Sequence, residues 1–262
     1  MDIHRELIKR QNKIQAKNLS RFFKTGVGEY GAGDKFLGIK VPVLRALAKQ
    51  FVESSFPEVQ ILLKSVYHEE RLLGAFILVY KFQRADEKTR AQIYKFYLKN
   101  WRALNNWDII DTTTPKIVGE YLVDKDKKII YEFARSNNLW KKRIAVLTTF
   151  SFIKQHQFED FLLIAEILIR DKHDLFHKAV GWMLREVGKR DLPVEETFLR
   201  KWYKMMPRTM LRYSIEKFPE AKRQQYLNGG IGEISAKKQE SKKTNRSLCF
   251  LLRCFLVFLI IV

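Results

Sequence analysis

The sequence predicts an all-α fold built from antiparallel helix pairs. Apolar residues recur at spacings of three and four in one segment after another, the signature of helices with a buried face. The segments are joined by short connectors such as Asp86-Glu87, Ser136-Asn137-Asn138, Asp171-Lys172-His173 and Asp191-Leu192-Pro193. Short connectors return each helix alongside the one before it. The 262 residues hold only six prolines and twelve glycines, too few breakers for a fold of many short strands.

Residues 2–23 read as an amphipathic helix, with Ile3, Leu7, Ile14 and Leu19 set among many cations. A glycine-rich loop follows at 25–34 and contains a literal G-x-G-x-x-G. That pattern signals a dinucleotide site only where a strand precedes it and a helix opens directly from it. Here a helix precedes it and Lys35-Phe36-Leu37-Gly38-Ile39-Lys40-Val41-Pro42 follows, so the nucleotide reading is set aside. Pro42 suits the first turn of a helix, and Val43, Leu44, Leu47, Ala48 and Phe51 then recur at helical spacing. A second helix follows Phe56-Pro57, and a third spans 69–84. Further helices are expected at 87–99, 107–122, 126–136, 139–155, 158–170, 173–189, 194–205 and 208–217. Two-helix units of roughly 35–45 residues suit a HEAT-like solenoid. The units are not self-similar in sequence, so a compact helical bundle stays open.

The helical domain is expected to cover residues 1–227, and the character changes in 228–262. Asn228-Gly229-Gly230 breaks the pattern, 235–246 is a charged linker, and 248–262 is apolar apart from Arg253. That last run falls short of the roughly 20 residues that cross a bilayer. A membrane anchor, a helix docked on the body and an extension without a role are the three readings of it.

The formal charge of +20 points to a polyanionic partner, either nucleic acid phosphates or an acidic membrane surface. The two cysteines, Cys249 and Cys254, both fall in the terminal run, so the body has neither a disulfide framework nor a thiolate metal site. The first residues lack a secretory apolar stretch. Both observations fit a cytoplasmic protein.

Within Asn106-Trp107-Asp108-Ile109-Ile110-Asp111, a helix would set Trp107 and Asp111 on one face. A core tryptophan and a capping aspartate would satisfy the same spacing. Asn138 can cap the helix that carries Trp140, Lys141, Lys142 and Arg143. Cations at a helix start are disfavoured by roughly 0.3–1 kcal/mol each, and an anion held there would reverse the penalty. A phosphate clamp and an ordinary solvated turn are the two readings. Farther on, Lys178, Trp182, Arg185 and Lys189 form one stripe with an aromatic among cations, as a surface tracking a nucleic acid backbone would. Trp182 could equally pack in a groove between helices. His173 and His177 have the spacing of a zinc pair but no obvious third ligand nearby, so no metal is expected.

Four stretches carry a family resemblance: Phe36-Leu37-Gly38-Ile39-Lys40-Val41-Pro42, Asn106 through Asp111, Trp140-Lys141-Lys142-Arg143-Ile144-Ala145, and His177-Lys178-Ala179-Val180-Gly181-Trp182-Met183-Leu184-Arg185-Glu186. In this order and spacing, over residues 20–227, the chain resembles the AlkD-type DNA alkylation repair glycosylases, a HEAT-like family. The resemblance implies excision of N3- and N7-alkylated purines from duplex DNA in base excision repair, without swinging the base into a pocket. It implies a cleft on a concave basic face, where two tryptophans and an aspartate hold the deoxyribose and an arginine grips the backbone. Carried over, Trp107, Trp182 and Asp111 are the catalytic group and Arg143 is the phosphate contact. Lys141, Lys142, Lys178, Arg185 and Phe22 join the expected DNA surface. The chain departs from the family at Asn106, where the best-studied pattern has a second tryptophan, and at Phe22, where it has an aromatic hydroxyl.

The chemistry fits these residue types. An alkylated purine is already cationic, so its leaving needs no general acid. A carboxylate can stabilise the positive charge developing on the sugar, and tryptophan faces add to that. Neither a metal nor a cofactor is required, and a monomer suffices. Two other functions fit the scaffold: a non-catalytic protein for distorted or branched DNA, and an adaptor for an acidic protein.

Overall fold

The structure, a computed structural model, describes residues 3–231. All regular secondary structure among them is helical, apart from one isolated bridge between Lys35 and Tyr67. The helix expected over 2–23 is two: α1 (Ile3–Ile8) and α2 (Lys13–Phe22). Asn12 makes the break. Its side chain accepts the Gln15 N–H at 2.9 Å to start α2, and its own N–H donates to the Leu37 carbonyl at 2.8 Å. After the glycine-rich loop comes α3 (Val41–Gln50), with proline in its first turn. A Ser55–Glu58 capping box opens α4 (Phe56–Leu63). Then follow α5 (His68–Arg84) and α6 (Glu87–Lys99), the latter capped by Asp86 through the Thr89 N–H.

A 3-10 turn at Trp101–Ala103 leads to α7 (Trp107–Thr114), which passes through a π-turn at Pro115–Gly119 into the short α8 (Glu120–Leu122). The remaining helices are α9 (Lys128–Ala134), α10 (Leu139–Lys154), α11 (Glu159–Leu168), α12 (Asp174–Gly188), α13 (Leu192–Trp202) and α14 (Arg208–Ser214). A last helix, α15 (Glu220–Leu227), lies beyond those expected.

The packing is sequential. Helix α5 packs on α7, α7 on α10, α10 on α12 and α12 on α14, which makes one continuous row. The partners α4, α6, α9, α11 and α13 lie against that row, each beside its neighbour in sequence. Such nearest-neighbour packing is the arrangement of a helical repeat stack rather than a bundle with one shared centre. Two helices of the row are buried nearly all round: Leu72 through Val79 of α5 and Arg143 through Thr149 of α10 are inaccessible in unbroken runs.

The far end of α7 is pinned. The Tyr97 hydroxyl hydrogen-bonds the Thr113 and Thr114 hydroxyls at 2.7 and 2.8 Å. Ser151 donates to the Pro115 carbonyl at 2.7 Å. At Gly119 a Cβ would come within 2.7 Å of the Thr148 carbonyl, so α10 crosses there with no side chain between. With that end fixed, the start of α7 is the end left to carry a site. Among the described residues no helix is long and apolar enough to cross a membrane. The charged linker and the apolar run at 248–262 lie outside the described residues.

Candidate functional site

The candidate site forms where the glycine-rich loop folds over the N-terminal ends of α7 and α10. Asn106, fully buried, caps α7 by accepting the Trp107 N–H at 2.9 Å. Asp34, the last loop residue, receives the Asn105 and Asn106 amides at 3.2 and 3.4 Å and the Arg71 guanidinium at 2.7 Å. His68, on the first turn of α5, bridges the two acids: Nε2 lies 2.8 Å from Asp108 and Nδ1 3.5 Å from Asp34. Burial alone would push the imidazole down and Arg71 adds to that. The two carboxylates outweigh both and raise its pKa to about 9. Asp34 is desolvated too, yet its bond to His68 and the Arg71 charge hold it below the usual carboxylate range. The site therefore rests on a buried, charged network running from α5 to α7.

Trp107 stands above this network. Its ring lies 5.3 Å from Phe23 and edge-on to Phe22 at 5.8 Å, and its Nε1 donates to the Tyr30 hydroxyl at 3.2 Å. Tyr30 in turn meets Trp140 edge-on at 6.2 Å. Phe22 is 63% exposed, so it forms the open lip of an aromatic wall that continues through Trp107 and Tyr30 to Trp140. The loop can lie this close only because residue 31 is glycine, where a Cβ would fall 2.4 Å from the Phe23 carbonyl. A recess of about 590 Å³, walled by Phe22, Phe36, Leu44 and Trp107, adjoins the wall and has the His68–Asp108 pair on its lining.

One turn into α7, Asp111 meets Arg143 of α10. The contact is bidentate, with Nε to Oδ1 at 2.7 Å and Nη2 to Oδ2 at 2.6 Å. Arg143 also donates through Nη1 to the Leu175 carbonyl at 2.8 Å, which ties in the start of α12. Its side chain is 5% exposed. Burial pushes the Asp111 carboxyl up and Arg143 pulls it back; the balance lies above the usual range. Three of the five guanidinium N–H donors are thus spent inside the protein.

The anion expected at the start of α10 is therefore supplied in part by the protein itself: Asp111 faces Arg143, and Asp171 faces Lys142 at 2.5 Å. Lys141 turns the other way and lies over the Trp101 ring at 4.7 Å. On α12, Lys178 pairs with Asp174 at 2.7 Å, Arg185 pairs with Glu216, and Lys189 pairs with Glu186 at 2.5 Å. Trp182 packs on Phe150 at 5.6 Å and donates to Glu186 at 3.3 Å. It sits about two turns along α12 from Leu175. The structure thus gathers Phe22, Trp107, Asp111 and Arg143 at one set of helix ends and sets Trp182 farther along the row. His173 and His177 serve the start of α12: Nδ1 of His173 accepts the Leu175 N–H at 3.2 Å, and Nε2 of His177 lies 2.7 Å from the Asp171 carbonyl.

Sequence reasoning missed Tyr30, Asp34, His68 and Arg71. A tyrosine within a glycine-rich loop was the available signal for Tyr30, since loops laid over rigid elements carry function. Asp34 lies more than thirty residues before His68 and Arg71, and no local signal joined the three.

Comparison with known proteins gives the setting. A family model described as DNA alkylation repair enzyme matches residues 3–218. A solved structure described as a predicted DNA alkylation repair enzyme from Enterococcus faecalis superposes with a TM-score of 0.64, covering 80% of this chain and 98% of that one. At 16% identity that likeness shows the fold alone. No curated protein matches the chain.

Proposed function

The chain belongs to the DNA alkylation repair enzyme family, and from that premise we propose that it is a DNA glycosylase releasing cationic N3- and N7-alkylated purines from duplex DNA. The observation that carries this reading is the pairing of an aromatic wall with a buried carboxylate on adjacent turns of α7: Trp107 and Asp111.

In this reading the deoxyribose of the lesion lies against Trp107, with the base left in the helix. The glycosidic bond from C1′ to the purine N9 breaks, and its electron pair neutralises the departing alkylated purine. Positive charge develops on the sugar. Asp111 stabilises that charge, and Trp107 offers an electron-rich face worth about 0.5–2 kcal/mol. Water adds to C1′ and gives up its proton toward Asp111, whose raised pKa makes it a better acceptor than an ordinary aspartate. Arg143 orients the carboxylate and has two N–H donors left for the phosphate beside the lesion. Trp182 forms a second contact along the same strand, with Lys141, Lys142, Lys178 and Arg185 lining the duplex path. The reaction requires neither metal nor cofactor, and we take the protein to act as a monomer in the cytoplasm.

The test is base release from methylated duplex, read by chromatography of the freed purine. Asp111→Asn is expected to lower release by roughly 100-fold or more while duplex affinity holds or rises. Full activity in the variant would sink the assignment of Asp111. The Arg143 ion pair supports a second reading, a non-catalytic binder of distorted DNA, because both Asp111 oxygens are already engaged. A wild-type protein that binds methylated duplex tightly and frees no base would establish it.

A further inference from the structure

Most cations expected along the cleft are answered by the protein's own carboxylates, as described for Arg143, Lys142, Lys178 and Arg185. Around the edge formed by the start of α10 the balance differs. The adjacent residues Trp140 and Lys141 divide between two surfaces. Trp140 meets Tyr30 on the site side, whereas the Lys141 ammonium lies over Trp101 at 4.7 Å and Phe133 at 5.4 Å. The Arg102 guanidinium also lies over Trp101, at 4.7 Å. Lys95 and Lys99, one turn apart on α6, line the same open depression of about 560 Å³, together with Tyr94 and Leu98.

Among the described residues, none of Lys95, Lys99, Arg102 and Lys141 forms an ion pair with a carboxylate. Four like charges around an aromatic floor repel one another, and a polyanion that enters relieves this while releasing its own counterions. A sugar–phosphate strand entering the depression would meet these cations at its phosphates, with the aromatic rings beneath them. Trp101 is joined to Trp107 by only the rest of the 3-10 turn, Leu104, Asn105 and the capping Asn106, so this surface and the site share one edge.

We propose that the depression around Trp101 is a second DNA contact, holding the backbone of the duplex arm that flanks the lesion as it passes the edge at α10. The inference rests on the DNA-repair reading but not on base release, and its test is built to separate the two. Undamaged duplexes of roughly 10 and roughly 25 base pairs are titrated at several salt concentrations with the wild type and with a Lys95→Gln/Lys99→Gln/Arg102→Gln variant. All three substitutions are at exposed positions, and a thermal melt confirms that the variant is folded. On the long duplex the variant is expected to lose roughly 2–3 from the slope of log affinity against log salt, at about 0.9 per phosphate contact, and to bind roughly 10–100-fold more weakly. On the short duplex the two proteins are expected to agree.

An unchanged slope on the long duplex overturns the proposal, whether or not the protein excises bases. So does an acidic peptide, such as polyglutamate, that binds the wild type, loses binding in the variant and leaves the duplex slope untouched. That outcome would assign the surface to a protein partner.

Discussion

His68 lets the buried network be tested quantitatively. Its imidazole is 2% exposed and its pKa is raised from 6.5 to about 9 by Asp108 and Asp34, against burial and Arg71. A histidine raised in the folded state stabilises the fold fully below its unfolded pKa, and that contribution is lost as pH climbs through the folded value. The shift from 6.5 to about 9 corresponds to about 3 kcal/mol well below pH 6.5, somewhat less at pH 7, and almost nothing at pH 10. His68→Gln keeps a polar side chain of similar reach but cannot be charged. Urea denaturation of both proteins at intervals from pH 7 to pH 10 isolates the term, because other groups titrating in that window cancel in the difference. The stability gap should narrow by roughly 2–3 kcal/mol across the window. Parallel curves with a constant gap would refute the charged network and leave His68 as a neutral stacking residue between Phe23 and Phe36.

Two further expectations concern buried acids. Arg143→Met should destabilise the protein by roughly 3–5 kcal/mol, because it leaves Asp111 buried without its partner. With only burial acting, the carboxyl should climb further, so the acid limb of any base-release profile should move to higher pH; calorimetry and a pH–rate series read the two effects. Glu195 is 1% exposed, has an oxygen without a hydrogen-bond partner, and is raised from 4.5 to about 8 by burial. Folded protein holds that proton while unfolded protein has lost it, so stability falls as pH rises from 4.5 toward 8. Glu195→Gln removes the penalty and should gain on the order of 4 kcal/mol at pH 7.5 and close to nothing at pH 4, as read by chemical denaturation.

Periodicity alone located most helices within two or three residues, because a buried face at helical spacing is a local signal. The misses have nonlocal causes. The first helix breaks because Asn12 bonds to Leu37 across the loop, a contact that no pattern within 2–23 contains. Trp107 and Asp111 were legible as a pair because a helix fixes what lies four residues on. Arg143 was legible as a cation in need of an anion at the start of α10. Which anion it meets was not, since Asp111 stands 32 residues away and is delivered by packing of α7 on α10. Asp34, His68 and Arg71 look like scattered charges until the loop closes over α5 and α7 and removes them from water.

A stack of helix pairs is held by neighbour contacts, so its ends are where unravelling starts. Asp34 alters that at one end. Through Arg71, Asn105 and Asn106 it staples the segment before α3 to the starts of both α5 and α7, so the first units must open together or not at all. The opposite end is tied differently: Lys201 and Trp202 of α13 donate to Glu166 of α11 at 2.9 and 3.0 Å, and Lys222 of α15 pairs with Glu196 of α13. The candidate site lies within the half that Asp34 ties together.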